Sequence, residues 1–210
     1  MKQARLDQLA DSIFAIVMTI LVFEIRIPDY AAKMSDGNLL NALVNIYPIF
    51  LSYLLSFSLL FTYWRSHHFI ESVLAKNVDV RFSNINAIFF FFVALVPFSS
   101  HLLGNYGYSK VAITFFALNV ILIGLALFSM RQYVIKSNTI ENIPFTKTEN
   151  EHANMRILFP VGASVLAIVI SFFSTTAAIV LFTLAILFNL LEKSTKHTFF
   201  VIDLFRSNKD

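Results

Sequence analysis

Six long apolar runs, set apart by short segments that hold nearly all the charge, constrain this chain more than any other feature. They cover residues 8–25, 41–63, 84–103, 110–130, 157–174 and 176–192 and consist mainly of Leu, Ile, Val, Phe and Ala. A helix needs about 20 apolar residues to cross the hydrocarbon of a bilayer. There the backbone must satisfy its own hydrogen bonds, which a single run does only as a helix, whereas barrel strands read as shorter alternating segments. The expected fold class is an all-α integral membrane protein with six transmembrane helices, the last two joined by a tight turn at Ser174 and Thr175. Residues 1–192 would form the transmembrane domain and 193–210 a tail, whose stretch from His197 to Phe205 suits an interfacial helix or contact with another subunit.

Composition narrows the class further. The chain is 57% hydrophobic and 14% charged, with 24 Phe among 210 residues, a balance foreign to water-soluble domains. A net charge of +3 gives no support to nucleic-acid binding, and the lack of cysteine removes disulfides, thiolate chemistry and Cys-ligated metals. Lys2 and Arg5 precede the first run as in a signal peptide, but Glu24, Arg26 and Pro28 end it without a cleavage site, so it reads as a retained span. The Phe89 to Phe92 run reads as packing or lipid-facing bulk.

Basic loops stay on the cytoplasmic side. Lys2 and Arg5, then Arg65, Lys76 and Arg81, then Arg131, Lys136, Lys147 and Arg156, then Lys193, Lys196, Arg206 and Lys209 fall on one face, leaving Arg26, Lys33 and Lys110 on the other. Both termini are therefore expected in the cytoplasm; the family resemblance below implies a bacterial inner (plasma) membrane.

Enzymes need converging titratable groups, and these spans offer almost none: Asp11 and Glu24 flank the first helix and His101 closes the third. Transporters place ionisable groups or broken helices at the membrane midplane, whereas Pro48, Pro97 and Pro160 sit near helix ends. Passive permeation asks for less: a pore-lining face, a hydrophobic constriction and a hydroxyl that can touch an ion. Ser12, Ile16, Thr19, Ile20 and Phe23 recur at spacings of three and four and form one stripe along the first helix. Packed against symmetry mates the stripe would line an axis; packed otherwise it is lipid or helix contact.

The segment Arg5-Leu6-Asp7-Gln8-Leu9-Ala10-Asp11, with Ser12 to Glu24 after it, resembles the first helix of the transmembrane protein 175 family. That family's signature is Arg, three residues, Phe-Ser-Asp, then an apolar helix with Thr eight residues beyond the Asp and an acidic residue near its end. Arg5, Asp11, Thr19 and Glu24 match; Leu9 and Ala10 stand in place of the Phe and Ser. Tyr63-Trp64-Arg65-Ser66-His67-His68 resembles the end of the family's second span, and Asn84 to Phe98, with Asn86 and Pro97-Phe98, its third. The resemblance implies a potassium channel whose bacterial members have six spans and assemble as homotetramers around their first helices. It puts the hydrophobic gate on Ile16 with further layers at Ile20 and Phe23, and the hydroxyl layer on Thr19, with Ser12 on the same stripe. Potassium would be the permeant ion and no cofactor is called for; a secondary or proton-coupled transporter and a non-conducting membrane scaffold are the rival readings.

A network is expected at the inner end, with Asp11 accepting from Trp64 Nε1, His67 or His68 and Arg5 closing it; the alternative is an exposed interfacial salt bridge. Adjacent histidines point about 100° apart on a helix, so a metal is not expected between His67 and His68. Either histidine would make gating sensitive to pH. Gly104-Asn105-Tyr106-Gly107-Tyr108 resembles a carbonyl filter only in its Tyr-Gly pair and reads as a turn.

Overall fold

A computed structural model describes residues 3–26, 36–75, 77–140 and 147–190. The described residues form eight α-helices: α1 Gln3–Ile20, α2 Asp36–Asn45, α3 Tyr47–His68, α4 Val80–Ala94, α5 Val96–Asn105, α6 Lys110–Lys136, α7 Lys147–Ser171 and α8 Thr175–Leu190. A 3₁₀ turn, Leu21–Glu24, prolongs α1, and a π turn, Phe69–Leu74, prolongs α3. Five segments are long and apolar enough to cross a membrane: Gln3–Glu24, Tyr47–Ser72, Val80–Asn105, Lys110–Lys136 and Ala153–Ser171. The sixth apolar segment, Thr175–Ile186, is shorter. At 1.5 Å per residue the 16 residues of α8 reach about 24 Å, short of the roughly 30 Å hydrocarbon thickness. The expected tail at 193–210 lies outside the described residues.

The helix limits follow from two prolines and from polar partners beyond the apolar runs; Pro160, expected near a helix end, lies instead inside α7. Pro48 stands in the first turn of α3, where its missing N–H is no loss. The helix accordingly starts at Tyr47, and residues 41–45 of the second apolar run belong to α2. At its other end α3 continues past residue 63, because its polar side chains there find partners on α1 and α4. Pro97, in the first turn of α5, divides the third run into α4 and α5. Asp79 caps α4, accepting from Phe82 N at 2.8 Å.

The centre of the bundle is α6, whose Ile113, Phe116, Val120, Ile123, Leu127, Met130 and Val134 are all buried. It packs against α7, α4 and α5, while α8 packs on α7 and α3. Gly124 permits the closest approach: a β-carbon there would run into Val161 Cγ2 and come within 3.2 Å of Tyr63 Oη. Tyr63 is itself buried and donates to Val120 O at 3.2 Å. By contrast α1 is attached along one face, burying Leu6, Ala10, Phe14, Val17 and Leu21 against a bundle side formed by α3 and α4.

Candidate functional site: the first helix and its two anchored ends

The spacing of four, four, three and four in that buried row puts the opposite stripe outward by helical geometry. Ser12 and Thr19 are exposed, as are Ile16 at 56%, Ile20 at 41% and Phe23 at 67%. The 3₁₀ turn tightens the helix, so that residues three apart eclipse and Phe23 falls in line with Ile20. Thr19 Oγ1 lies 2.8 Å from Ala15 O and 2.9 Å from Ile16 O, and Ser12 Oγ lies 2.8 Å from Gln8 O. A hydroxyl whose proton is donated back to its own helix keeps its lone pairs. Both oxygens therefore present acceptors outward, the polarity that suits a cation.

The N-terminal end of α1 is tied to α3 by polar contacts. Trp64 Nε1 donates to Asp11 Oδ1 at 2.8 Å. Ser72 Oγ donates to Asp7 Oδ1 at 2.9 Å, and His68 Nδ1 lies 3.5 Å from the same oxygen. The Gln3 amide reaches over the π turn and donates to Glu71 O and Ala75 O at 2.5 and 2.7 Å. His67 is fully buried and is not bonded to Asp11; its Nε2 donates to Asn86 Oδ1 at 2.9 Å, and its ring stacks on Phe89 at 5.0 Å. Arg5 is exposed and makes no ion pair among the described residues. Of the residues singled out from sequence, Asp11 with Trp64 and His67 with Asn86 thus meet as two separate pairs.

At the far end, Glu24 pairs with His101 of α5, Oε2 to Nδ1, and Asn105 Nδ2 donates to His101 O at 3.0 Å. The segment 104–107 ends α5 and turns, with Tyr106 and Tyr108 exposed. Gly104 is required there by close approach, since a β-carbon would come within 2.9 Å of Ile49 Cα.

Sequence reading overlooked two partners. Glu71 stands four residues after His67, on the same helical face, and is buried completely with Oε2 3.5 Å from His67 Nδ1. Its i,i+4 spacing was the available signal. Asp7, one turn before Asp11, was the other. Among the described residues no group of three His, Asp or Glu side chains is placed to hold a metal ion.

Long apolar helices, with polar clusters at the two ends of one loosely enclosed helix, define a multi-span membrane protein. Comparison with known proteins narrows the class. Residues 5–97 match the profile of a family described as endosomal/lysosomal potassium channel TMEM175. It is 28% identical over 190 residues to a protein of Chamaesiphon minutus named as a potassium channel, covering 89% of this chain and 93% of the relative. A potassium channel of a Chryseobacterium species is 26% identical over 202 residues, covering 93% of this chain and 99% of that protein. One from Streptomyces collinus is 30% identical over 105 residues, about half of each chain (50% and 49%).

Proposed function

We propose that the chain is one subunit of a potassium-permeable channel, a homotetramer in which the first helices meet around a common axis. The observation that carries this reading is the outward stripe of α1, a hydroxyl and isoleucine row without a partner inside the described subunit. Support comes from the family match over residues 5–97, which includes the whole of α1 beyond its first turn, and from relatives named as potassium channels.

Ile16 forms the narrowest hydrophobic ring, with Ile20 and Phe23 as further layers and Thr19 and Ser12 as hydroxyl layers. A narrow apolar ring opposes a hydrated ion and gates by wetting and drying, while the Thr19 oxygen replaces part of the ion's lost water. Both termini lie in the cytoplasm of a bacterial inner membrane, residues 1–192 form the channel domain, and conduction needs no cofactor. The pairs Trp64 with Asp11 and Glu24 with His101 hold the two ends of the pore helix to its own subunit.

Reversal potentials of the purified protein in liposomes, under opposed potassium and sodium gradients, test the reading. Discrete conductance steps with a reversal potential shifted toward that of potassium are expected. Saturable flux that requires a second ion would instead indicate a carrier, and the absence of any flux a scaffold.

A further inference from the structure

Beneath the N-terminal end of α1, four buried polar atoms have no hydrogen-bond partner among the described residues: His67 Nδ1, Glu71 Oε1, Glu71 Oε2 and Asn86 Nδ2. Buried polar groups are nearly always bonded, so this concentration in one place calls for a physical account. With the Asn86 amide as placed, His67 Nε2 donates to Oδ1 and Nδ1 is the ring atom that faces Glu71 Oε2 at 3.5 Å.

We propose that His67 and Glu71 form a buried proton-binding site whose occupancy governs how firmly α1 docks on α3. One proton between Nδ1 and Oε2, once the pair closes from its 3.5 Å separation, satisfies both atoms and leaves the pair with no net charge. In these surroundings, with Phe14, Phe89 and Phe90 around the imidazole, the neutral arrangement avoids separating charge in a dry site. Glu71 then holds the proton as a carboxylic acid and donates it to Nδ1. Loss of that proton to solvent leaves a bare carboxylate opposite a bare imidazole lone pair.

The charged groups around the pair disfavour that state. On α1, the carboxyl groups of Asp7 and Asp11 lie on this side, bonded to Ser72 and Trp64, and Arg5 is exposed. On α3, His68 is engaged with Asp7 and Ser72, and Arg65 is exposed. On α4 the facing polar group is the uncharged Asn86, while Arg81 sits over the Tyr133 ring. On α6, Arg131 is bonded to Asn150 and Asn154 of α7. A carboxylate at Glu71 is therefore relieved only by admitting water, and the cover over it is α1, through Gln3 on the π turn and Phe14 on His67.

The chain has a single Trp, and Trp64 is bonded to α1 at this end, so its fluorescence reports docking whether or not the protein conducts. With full-length protein in lipid vesicles, raising the pH is expected to shift Trp64 emission to longer wavelength. The infrared band of a buried carboxylic acid should fade over the same pH range. In Glu71→Gln both changes should be lost while the helical circular dichroism is kept, and His67→Phe, which removes the acceptor, should move the transition to lower pH. Emission and infrared titrations of wild type and Glu71→Gln that superimpose would overturn the proposal. So would a wild-type protein with no titrating carboxylic acid band, a result obtainable even if a variant fails to fold. Absence of potassium flux with both spectroscopic changes intact would refute the channel reading and leave this site standing.

Discussion

The first helix and α6 both present an exposed row on the subunit, yet the two rows differ in kind. On α6 the outward residues Val111, Phe115, Leu118, Leu122 and Leu125 are apolar, with one hydroxyl at the end of the row, Ser129, donating to Leu125 O, and the opposite face fills the centre of the bundle. On α1 the row interleaves Ser12 and Thr19 with Ile16, Ile20 and Phe23, and the buried face is a single line of contact with α3 and α4. An apolar row costs nothing against lipid tails, whereas a hydroxyl gains nothing there. Exposure alone thus does not mark a functional surface in a membrane subunit. Under the proposed function, hydroxyls interleaved along a thinly anchored helix are what set α1 apart.

The sharpest way to break this contrast is to make the same change on each row. Ile16→Asn should wet the narrowest ring, raising potassium flux into liposomes about tenfold or more and weakening discrimination against sodium, as apolar constrictions gate by dewetting. Leu122→Asn on α6 should leave flux per inserted protein unchanged. Equal effects would erase the distinction between the rows.

The inner faces should respond in the reverse order. Gly124→Leu forces a side chain into Val161 and Tyr63, and overpacking of this kind costs roughly 1–3 kcal/mol. Thermal unfolding in detergent should shift down accordingly, with ion selectivity of the surviving protein intact. Trp64→Phe removes the bond to Asp11; hydrogen bonds to charged groups are worth about 1.5–3 kcal/mol when enclosed. The lower end applies here because the pair is exposed. Its effect should appear as increased amide hydrogen exchange confined to the first turns of α1, with α6 unaffected.

The smallest effect concerns a latch between α4 and α6. Asp79 accepts from the Tyr133 and Thr139 hydroxyls and from Phe82 N. Burial pushes its carboxyl up, but these donors together outweigh that and hold it below the ordinary aspartate value. A depressed carboxyl contributes stability that is present above its unfolded-state value and is lost as pH falls through the lower folded one. Acid titration of thermal stability should therefore show a decline that Asp79→Asn flattens. A stability profile unchanged by that substitution would show that the latch does not depend on ionisation.

The helical class was legible because hydrocarbon admits so few backbone solutions: the apolar runs alone dictate helices, and among the described residues five segments are long enough to span, with a shorter sixth. Helix ends were less legible. Trp64 and His67 lie on a helix that hydropathy would stop at residue 63, because their polar atoms find partners on α1 and α4 that no local window contains. The stripe from Ser12 to Phe23 was readable as one face from spacing alone, and Asp11 with Trp64 from the resemblance. His67 with Asn86 was not, since the Asn lies 19 residues away; Glu71, four residues after His67, was within reach of spacing alone and was overlooked.

The account rests on copies of α1 meeting with Ile16 turned inward, and the chain contains no cysteine, so a single introduced thiol reports without background. The most direct measurement is potassium flux through Ile16→Cys protein before and after a small water-soluble thiol reagent, with Leu122→Cys treated in parallel. Block of the Ile16→Cys flux, with no effect on Leu122→Cys, is the expected result. Full flux through Ile16→Cys despite treatment, or block at Leu122→Cys alone, would contradict the placement of the pore on the first helix.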